Sequence, residues 1–320
     1  MEITMSLSKS KAFFGAALLA SAVAATAATP CDPSWVGSGL SAAPSQNGHM
    51  VALRGSDGLI RVNEWNEANG SWMGWMALPY QDGIISDPWV QFANSGGQSV
   101  FARKSDSIIQ WTGKWLNGKW IWVRVGFTVD GNQFQGRISS ANGTTGLTPW
   151  VYFFATTTSG QVKMRTWNGS GMLSWTDMGV SGVVGSPSAI QISDNIFNLY
   201  VRKSDGSFLV KCWNGSSWSS WLSNAEFVDA YSDIAGATTN YQNLYTTSSS
   251  GAIAQQAWNG YNWTGWTPQS IPVTKSLSAA VSGSNAYLYG VDNDNIVWRA
   301  TQNGQSGLAG ARKVNCKSAP

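Results

Sequence analysis

The sequence predicts an all-β protein, a single β-propeller of six blades with four short antiparallel strands in each. Three observations carry this expectation. A tryptophan followed by a Gly-containing turn and one or two more tryptophans recurs at Trp65–Trp75, Trp115–Trp122, Trp167–Trp175, Trp213–Trp221 and Trp258–Trp266. The leading tryptophans are 50, 52, 46 and 45 positions apart, a period that matches one four-stranded blade. Ahead of each lies a strand–turn–strand unit: Val51-Ala-Leu-Arg54-Gly-Ser-Asp57-Gly58 recurs as Val100-Phe-Ala-Arg103-Lys-Ser-Asp106 and as Leu199-Tyr-Val-Arg202-Lys-Ser-Asp205-Gly206. Asp and Gly tolerate the positive φ of a tight hairpin turn. No helical period of apolar residues runs beyond the N-terminal segment.

Residues 1–28 read as a secretory signal peptide. Lys9 and Lys11 precede an apolar run from Ala12 to Ala24, and small residues continue to Ala28. That run is shorter than the roughly 20 apolar residues a membrane span needs. The propeller is expected over residues 29–320, in repeats of about 40–80, 81–130, 147–180, 186–226, 231–272 and 277–310. An inner strand of small residues is expected to open the blade, as in Leu40-Ser-Ala-Ala-Pro, Ser86-Asp-Pro-Trp, Leu147-Thr-Pro-Trp, Ser186-Pro-Ser-Ala and Leu277-Ser-Ala-Ala, because strands beside a central channel are crowded. Two strands joined by the Ser-Asp-Gly turn follow, then an Asn-Gly turn and an outer strand bearing the remaining tryptophans. Repeats 3 and 5 carry Thr-rich turns instead, ending at Gly160 and Gly251, and a sixth, eroded copy runs from Asn295 to Gly304. Residues 131–146 have no counterpart elsewhere and read as an inserted loop. The segment from Cys31 to Gly39 is expected to complete the last blade, whose own final stretch from Gln305 to Gly310 lacks tryptophan.

Charged residues make up 12% of the chain and its net charge is +3. The leader holds two lysines and one glutamate, so 18 basic and 16 acidic residues remain after it. Such a balance argues against a nucleic-acid partner, whose affinity rests on several phosphate contacts. Nor does it supply a polybasic tract for anionic lipid. The surface falls to Ser, Thr, Asn, Gln and Gly, which suits a neutral ligand. Of three cysteines, Cys31 and Cys316 lie at the two ends of the expected ring. Export makes their pairing the expectation, and a disulfide there would staple the ring at its closure, contributing up to about 5 kcal/mol. Cys212, beside Trp213, reads as a small buried hydrophobe.

The pattern Arg-x-Ser-Asp-Gly, apolar strand, Trp, Asn-Gly turn, Trp-x-x-Trp resembles the repeat of the Photorhabdus-type lectins. The resemblance spans residues 40–304, clean in repeats 1, 4 and 5, partial in 2 and 3, faint in 6. It implies a secreted-type propeller that binds fucose or methylated sugars in pockets between neighbouring blades. Those lectins typically have seven blades, where six repeats are counted here.

Sugars offer hydroxyls for hydrogen bonds and C–H patches for an aromatic face, so an exposed indole edge flanked by polar groups suits them. The outer-strand tryptophans, Trp72, Trp75, Trp120, Trp122, Trp175, Trp218, Trp221, Trp263 and Trp266, are candidates either for ligand contact or for packing. In Trp218-Ser-Ser-Trp221 the pair is three apart, so strand alternation is expected to turn the two rings to opposite faces. The leading Trp65, Trp115, Trp167, Trp213 and Trp258 are expected to pack blade on blade. Arg54, Arg103 and Arg202 either pair with the nearby turn Asp or offer donors to sugar hydroxyls. Asp57, Asp106 and Asp205 read as turn formers, and Tyr200, Tyr241, Tyr245 and Tyr261 as lesser aromatic candidates.

Two other functions compete. One is a scaffold that binds a protein through a face of the propeller. The other is a glycosidase or lyase, which needs two carboxylates facing each other across a bond. Glu64, Glu67 and Glu226 have no repeated context, and His49 is the only histidine, which excludes a His-rich metal site. No P-loop, Gly-x-Ser-x-Gly or Cys-x-x-Cys motif is present, so neither an enzyme nor a cofactor is expected. Asn69, Asn142, Asn168, Asn214 and Asn262 form Asn-x-Ser/Thr sequons, three of them in the Asn-Gly turns of the repeat. The expected partner is a glycan-coated surface bound through several weak sites at once; oligomeric state is left open.

Overall fold

The computed structural model describes residues 36–92, 97–116, 119–128, 134–145, 148–224, 230–240, 242–271, 275–302 and 308–314. They form six antiparallel sheets of four strands in chain order. Blade 1 holds β1 (Val36–Ser45), β2 (Gly48–Gly55), β3 (Ile60–Asn66) and an outer strand broken into β4 (Ser71–Trp72) and β5 (Met76–Ala77). Blade 2 holds β6 (Trp89–Phe92), β7 (Gln98–Arg103), β8 (Ser107–Leu116) and β9 (Lys119–Thr128). In blade 3 the strands are β10 (Phe134–Thr145), β11 (Thr148–Thr157), β12 (Val162–Trp167) and β13 (Thr176–Asp177). Blade 4 is β14 (Val183–Ser193), β15 (Ile196–Lys203), β16 (Phe208–Trp213) and β17 (Leu222–Asn224). Blade 5 is β18 (Ala235–Thr238), β19 (Gln242–Thr247), β20 (Ile253–Trp258) and β21 (Thr267–Gln269). Blade 6 is β22 (Ser276–Ser282), β23 (Asn285–Val291), β24 (Val297–Gln302) and β25 (Leu308–Lys313). First strands pack beside one another in sequence, and β22 returns to β1, so the ring closes. The chain is a six-bladed propeller.

Local chemistry explains the hairpins. Asp57 Oδ1 accepts the Leu59 amide at 3.0 Å, and Asp205 Oδ1 accepts that of Ser207 at 2.9 Å. These carboxylates form turns, as their positions predict. Asn214 caps the other hairpin of its blade by accepting the amides of Ser216 and Ser217, while Gly215 takes φ +96°.

The core lies in six seams, each between one blade and the next. Nearest the axis, small residues serve a definite purpose. Ser41 Oγ of blade 1 accepts the Val90 amide of blade 2 at 2.9 Å, and Ser278 Oγ of blade 6 accepts that of Ala42 at 2.8 Å. Ser186 Oγ of blade 4 likewise accepts the Arg137 amide at 3.0 Å. The inner strands of blades 1, 2 and 3 thus have their open backbone edge closed by a neighbour's hydroxyl, a bond worth about 1 kcal/mol net.

Two expectations about the chain's path are corrected. Residues 131–146 are not an inserted loop, since Phe134–Thr145 is the innermost strand of blade 3, paired with β11 on both sides of an irregularity between Gln135 and Ser139. Thr148-Pro-Trp belongs instead to the second strand, and Leu147 lies outside the described residues. Ser139-Ser-Ala-Asn-Gly carries the small side chains that the inner ring demands, without a turn or aromatic residue to mark it. Nor do Val36 to Gly39 complete the last blade: Val36 pairs with Gly55 and Gly39 with Arg54 in blade 1, while β25 closes blade 6 from the C-terminal side. The leader, Cys31, Cys316 and Glu226 lie outside the described residues; Cys212 is half-buried and unpaired in a disulfide.

Candidate functional site

The tryptophans gather in the seams. Trp75, Trp122, Trp175, Trp221 and Trp266 stand at matching places in blades 1 to 5 and face the preceding blade. In three of the motifs the partner indole faces the same way. Trp72 joins Trp75 against blade 6, Trp218 joins Trp221 against blade 3, and Trp263 joins Trp266 against blade 4. Strand alternation predicts opposite faces; the structure corrects this. Between the two indoles the chain leaves the ladder, and a backbone amide helps to tether it: Met73 to the Glu64 carbonyl (2.9 Å), Ser219 to Cys212 (2.9 Å), Thr264 to Ala257 (2.8 Å). The irregularity shifts the side-chain phase, as a bulge does.

Most of these rings have partners. Trp221 Nε1 donates to the Met178 carbonyl across the seam at 2.8 Å, with Lys211 Nζ 5.4 Å from its ring centre. Trp266 stacks on Phe208, and Trp175 lies 4.7 Å from Phe134 with the Arg165 guanidinium 5.9 Å from its centre. Trp75 is only 4% exposed, which makes it a packing residue. The others named remain half-exposed, except Trp120, of which only the backbone, paired with Trp115, is described. Among leading tryptophans, Trp65 and Trp213 sit in seams and Trp258 packs on Trp263. Trp167 does not pack blade on blade: it is 37% exposed, and its cross-strand neighbour is Val151 where blade 4 supplies Phe197. Trp115's side chain lies outside the described residues.

The arginines tie blades together. Arg54 Nη2 donates to the Ile84 carbonyl (3.0 Å) and Arg103 Nη2 to that of Gly136 (3.5 Å), while Arg202 Nε lies 4.0 Å from Asp233. Each reaches the segment that enters the next blade, instead of pairing with its own turn. Asp57 is paired by Arg61 at 2.6 Å, and that bond lowers its pKa. Tyr200 and Tyr245 are buried, Tyr261 stands 86% exposed on a turn, and Tyr241 lies outside the described residues.

Two seams hold polar groups that sequence reasoning missed. Between blades 1 and 2, buried Glu64, Asn63 and Gln98 surround a gap of about 20 Å³ with Trp122 and three methionines. Gln98 Nε2 donates to Glu64 Oε1 at 2.9 Å, while Gln98 Oε1 and Asn63 Nδ2 have no partner. The gap has room for one water or one ligand hydroxyl. No repeat signal could reveal it, because Glu64 is replaced by Cys212 and Ala257 at the matching positions of blades 4 and 5.

Between blades 6 and 1, His49 is fully buried among Trp65, Trp72, Tyr287 and Tyr289, at ring distances of 6.2, 5.7, 4.5 and 5.6 Å. Burial, with the charge of Arg299 added, lowers its pKa to about 3. Arg299 lies 4.4 Å over Trp65, and Tyr287 donates to Glu67 at 3.2 Å. A cleft of about 650 Å³ opens beside this cluster, lined by Gln46, Asn47, Asn66, Glu67 and Ser282. Among the described residues no group of three or more His, Cys, Asp or Glu is placed to hold a metal ion.

By sequence the chain matches no protein-family model and no curated protein. Its fold is shared with solved propellers. A lectin of Aleuria aurantia, solved with Fucα1-6GlcNAc, superposes with a TM-score of 0.63 at 16% identity, over 90% of this chain and 98% of that one. The AofleA protein of Arthrobotrys oligospora gives 0.65 at 13% identity over 88% and 87%. The BP39L lectin of Burkholderia pseudomallei gives 0.63 at 12% over 88% and 99%. At such identities the likeness establishes a common six-bladed architecture.

Proposed function

We propose that this protein is a secreted, multivalent lectin that binds neutral sugars, fucose or O-methylated glycans, in the seams between its blades, and does so without turnover. The observation that carries this is the concentration of indoles with uncharged polar groups at the seams of a ring of the size and blade number found in fucose-binding propellers. An indole face receives the C–H face of a sugar while amides and carboxylates take its hydroxyls. The seam of blades 1 and 2 combines Trp122, Glu64, Asn63 and Gln98, and is the first site we assign. Trp72, Trp175, Trp218, Trp221, Trp263 and Trp266 give the other seams their aromatic walls. Several weak sites on one rigid disc would raise avidity for a glycan-coated cell surface by about 10²–10⁴.

A glycan array on the mature protein, with free fucose as competitor, tests the reading. Binding that fucose or another free neutral sugar inhibits, and that weakens in Trp122→Phe and Glu64→Gln, is the expected result. Binding that no sugar inhibits would point to a protein-binding scaffold. Release of reducing sugar from polysaccharide would point to a hydrolase.

A further inference from the structure

The inner strands enclose a well of about 320 Å³ on the axis of the ring. Small side chains leave this space: Ala42, Ala141, Ala189 and Ala237 line it. All six inner strands run the same way along the axis, so the well has two chemically different ends. Pro44, Phe92, Thr238 and Val281, late in their strands, stand at one end. Trp89 and Arg137, early in theirs, stand at the other.

Arg137 dominates that second end. It rises from blade 3, yet its Nη1 donates to the Leu40 carbonyl of blade 1 at 3.0 Å, so the side chain passes the intervening blade 2. Its guanidinium lies 5.2 Å from the ring centre of Trp89, whose own Nε1 donates to Ser140 at 2.9 Å. The residue is 8% exposed, its Nε has no acceptor, and it forms no ion pair among the described residues. Asp233 feels the charge of Arg137 but lies beyond ion-pair distance from it. Its carboxylate accepts the Ser186 amide at 3.1 Å and faces Arg202 at 4.0 Å, while burial raises its pKa towards the neutral form. Arginine cannot shed its proton to escape burial, and a buried charge without a counterion is costly. Ser188 Oγ, buried in the wall of the same well, also lacks a partner.

We propose that the axial well binds a small organic anion, with its carboxylate on Arg137 and an uncharged body no larger than one sugar ring in the alanine-lined space. This site is separate from the seams, and it does not depend on the sugar-binding reading of them. A bound carboxylate would supply a counterion in direct contact, which Asp233 at its longer distance does not. The alanines set the size limit, and the Ser188 hydroxyl gives the body a polar contact.

Calorimetric titration of the mature protein with D-glucuronate, D-glucose and acetate tests this. Glucuronate should bind at least tenfold more tightly than glucose, with acetate between them. Arg137→Gln should remove the preference for the anion. Because Arg137 also bonds the backbone of blade 1, a second variant guards against loss of folding: Thr238→Phe narrows the far end of the well without touching the guanidinium. It should weaken glucuronate at least tenfold while seam binding of α-methyl-L-fucoside is unchanged. Equal binding of glucuronate and glucose, or binding insensitive to both variants, would overturn the proposal. Failure of fucoside binding alone would count against the seam sites and leave the well standing.

Discussion

Acidification should loosen the seam between blades 6 and 1 through His49. The imidazole is wholly enclosed, and the charged and titratable groups near it are Arg299, Glu67, Tyr287 and Tyr289. Its pKa falls from 6.5 to about 3 in the folded protein, chiefly from burial and secondarily from Arg299. Between those values the unfolded chain takes up a proton that the folded chain refuses. Stability is therefore full above pH 6.5 and is lost as pH falls towards 3. At about 1.4 kcal/mol per pKa unit, the loss is about 2 kcal/mol at pH 5 and about 5 kcal/mol below pH 3. His49→Phe removes the effect with little change of shape, since blade 4 already places Phe197 at the matching position against Trp213 and Trp218. Urea unfolding at pH 7.5 and pH 5.0 should show the natural protein losing about 2 kcal/mol more than the variant. Asp57, Asp177 and Asp205, whose pKa values are lowered by hydrogen bonds from 3.8, keep their contributions throughout pH 7.5–5.0 and lose them only below about 3.8. Asp233, raised by burial, acts with the opposite sign and cancels between the two proteins. Equal pH slopes for both would refute the reasoning.

Three further outcomes follow from the packing. Ser41→Ala leaves the buried Val90 amide without its acceptor, and should cost about 1–3 kcal/mol in chemical denaturation. Gly185→Ala places a Cβ 2.2 Å from Asp233 Oδ1 at a residue with φ +75°, so it should destabilise by about 2 kcal/mol or more, seen as a lowered melting temperature. Arg61→Ala breaks a partly exposed surface ion pair with Asp57 and should cost about 1 kcal/mol or less, a cost reduced further by salt.

The parts of this protein legible in its sequence are those that local chemistry dictates. Asp57 and Asp205 mark turns because their side chains bond the backbone two residues on, and the leading tryptophans recur because each blade repeats one hairpin. The inner strand of blade 3 escaped notice because its small, polar residues earn their place from neighbouring blades, as Ser41 does by capping Val90. The facing of Trp218 and Trp221 depends on a break in the ladder that spacing alone does not encode. Arg54 bonds and Arg202 faces a residue on the way into the following blade, and Arg137 reaches past one entirely. Glu64 and Gln98 meet only when two blades dock, so neither carries a motif.

The most direct measurement is titration of the purified protein with α-methyl-L-fucoside, followed by tryptophan fluorescence and by calorimetric stoichiometry. Half-exposed indoles at the seams should respond in a saturable way, with more than one sugar bound per chain and a weaker response in Trp122→Phe. No saturable change with this or any other neutral sugar would contradict the assignment of the seams as carbohydrate sites.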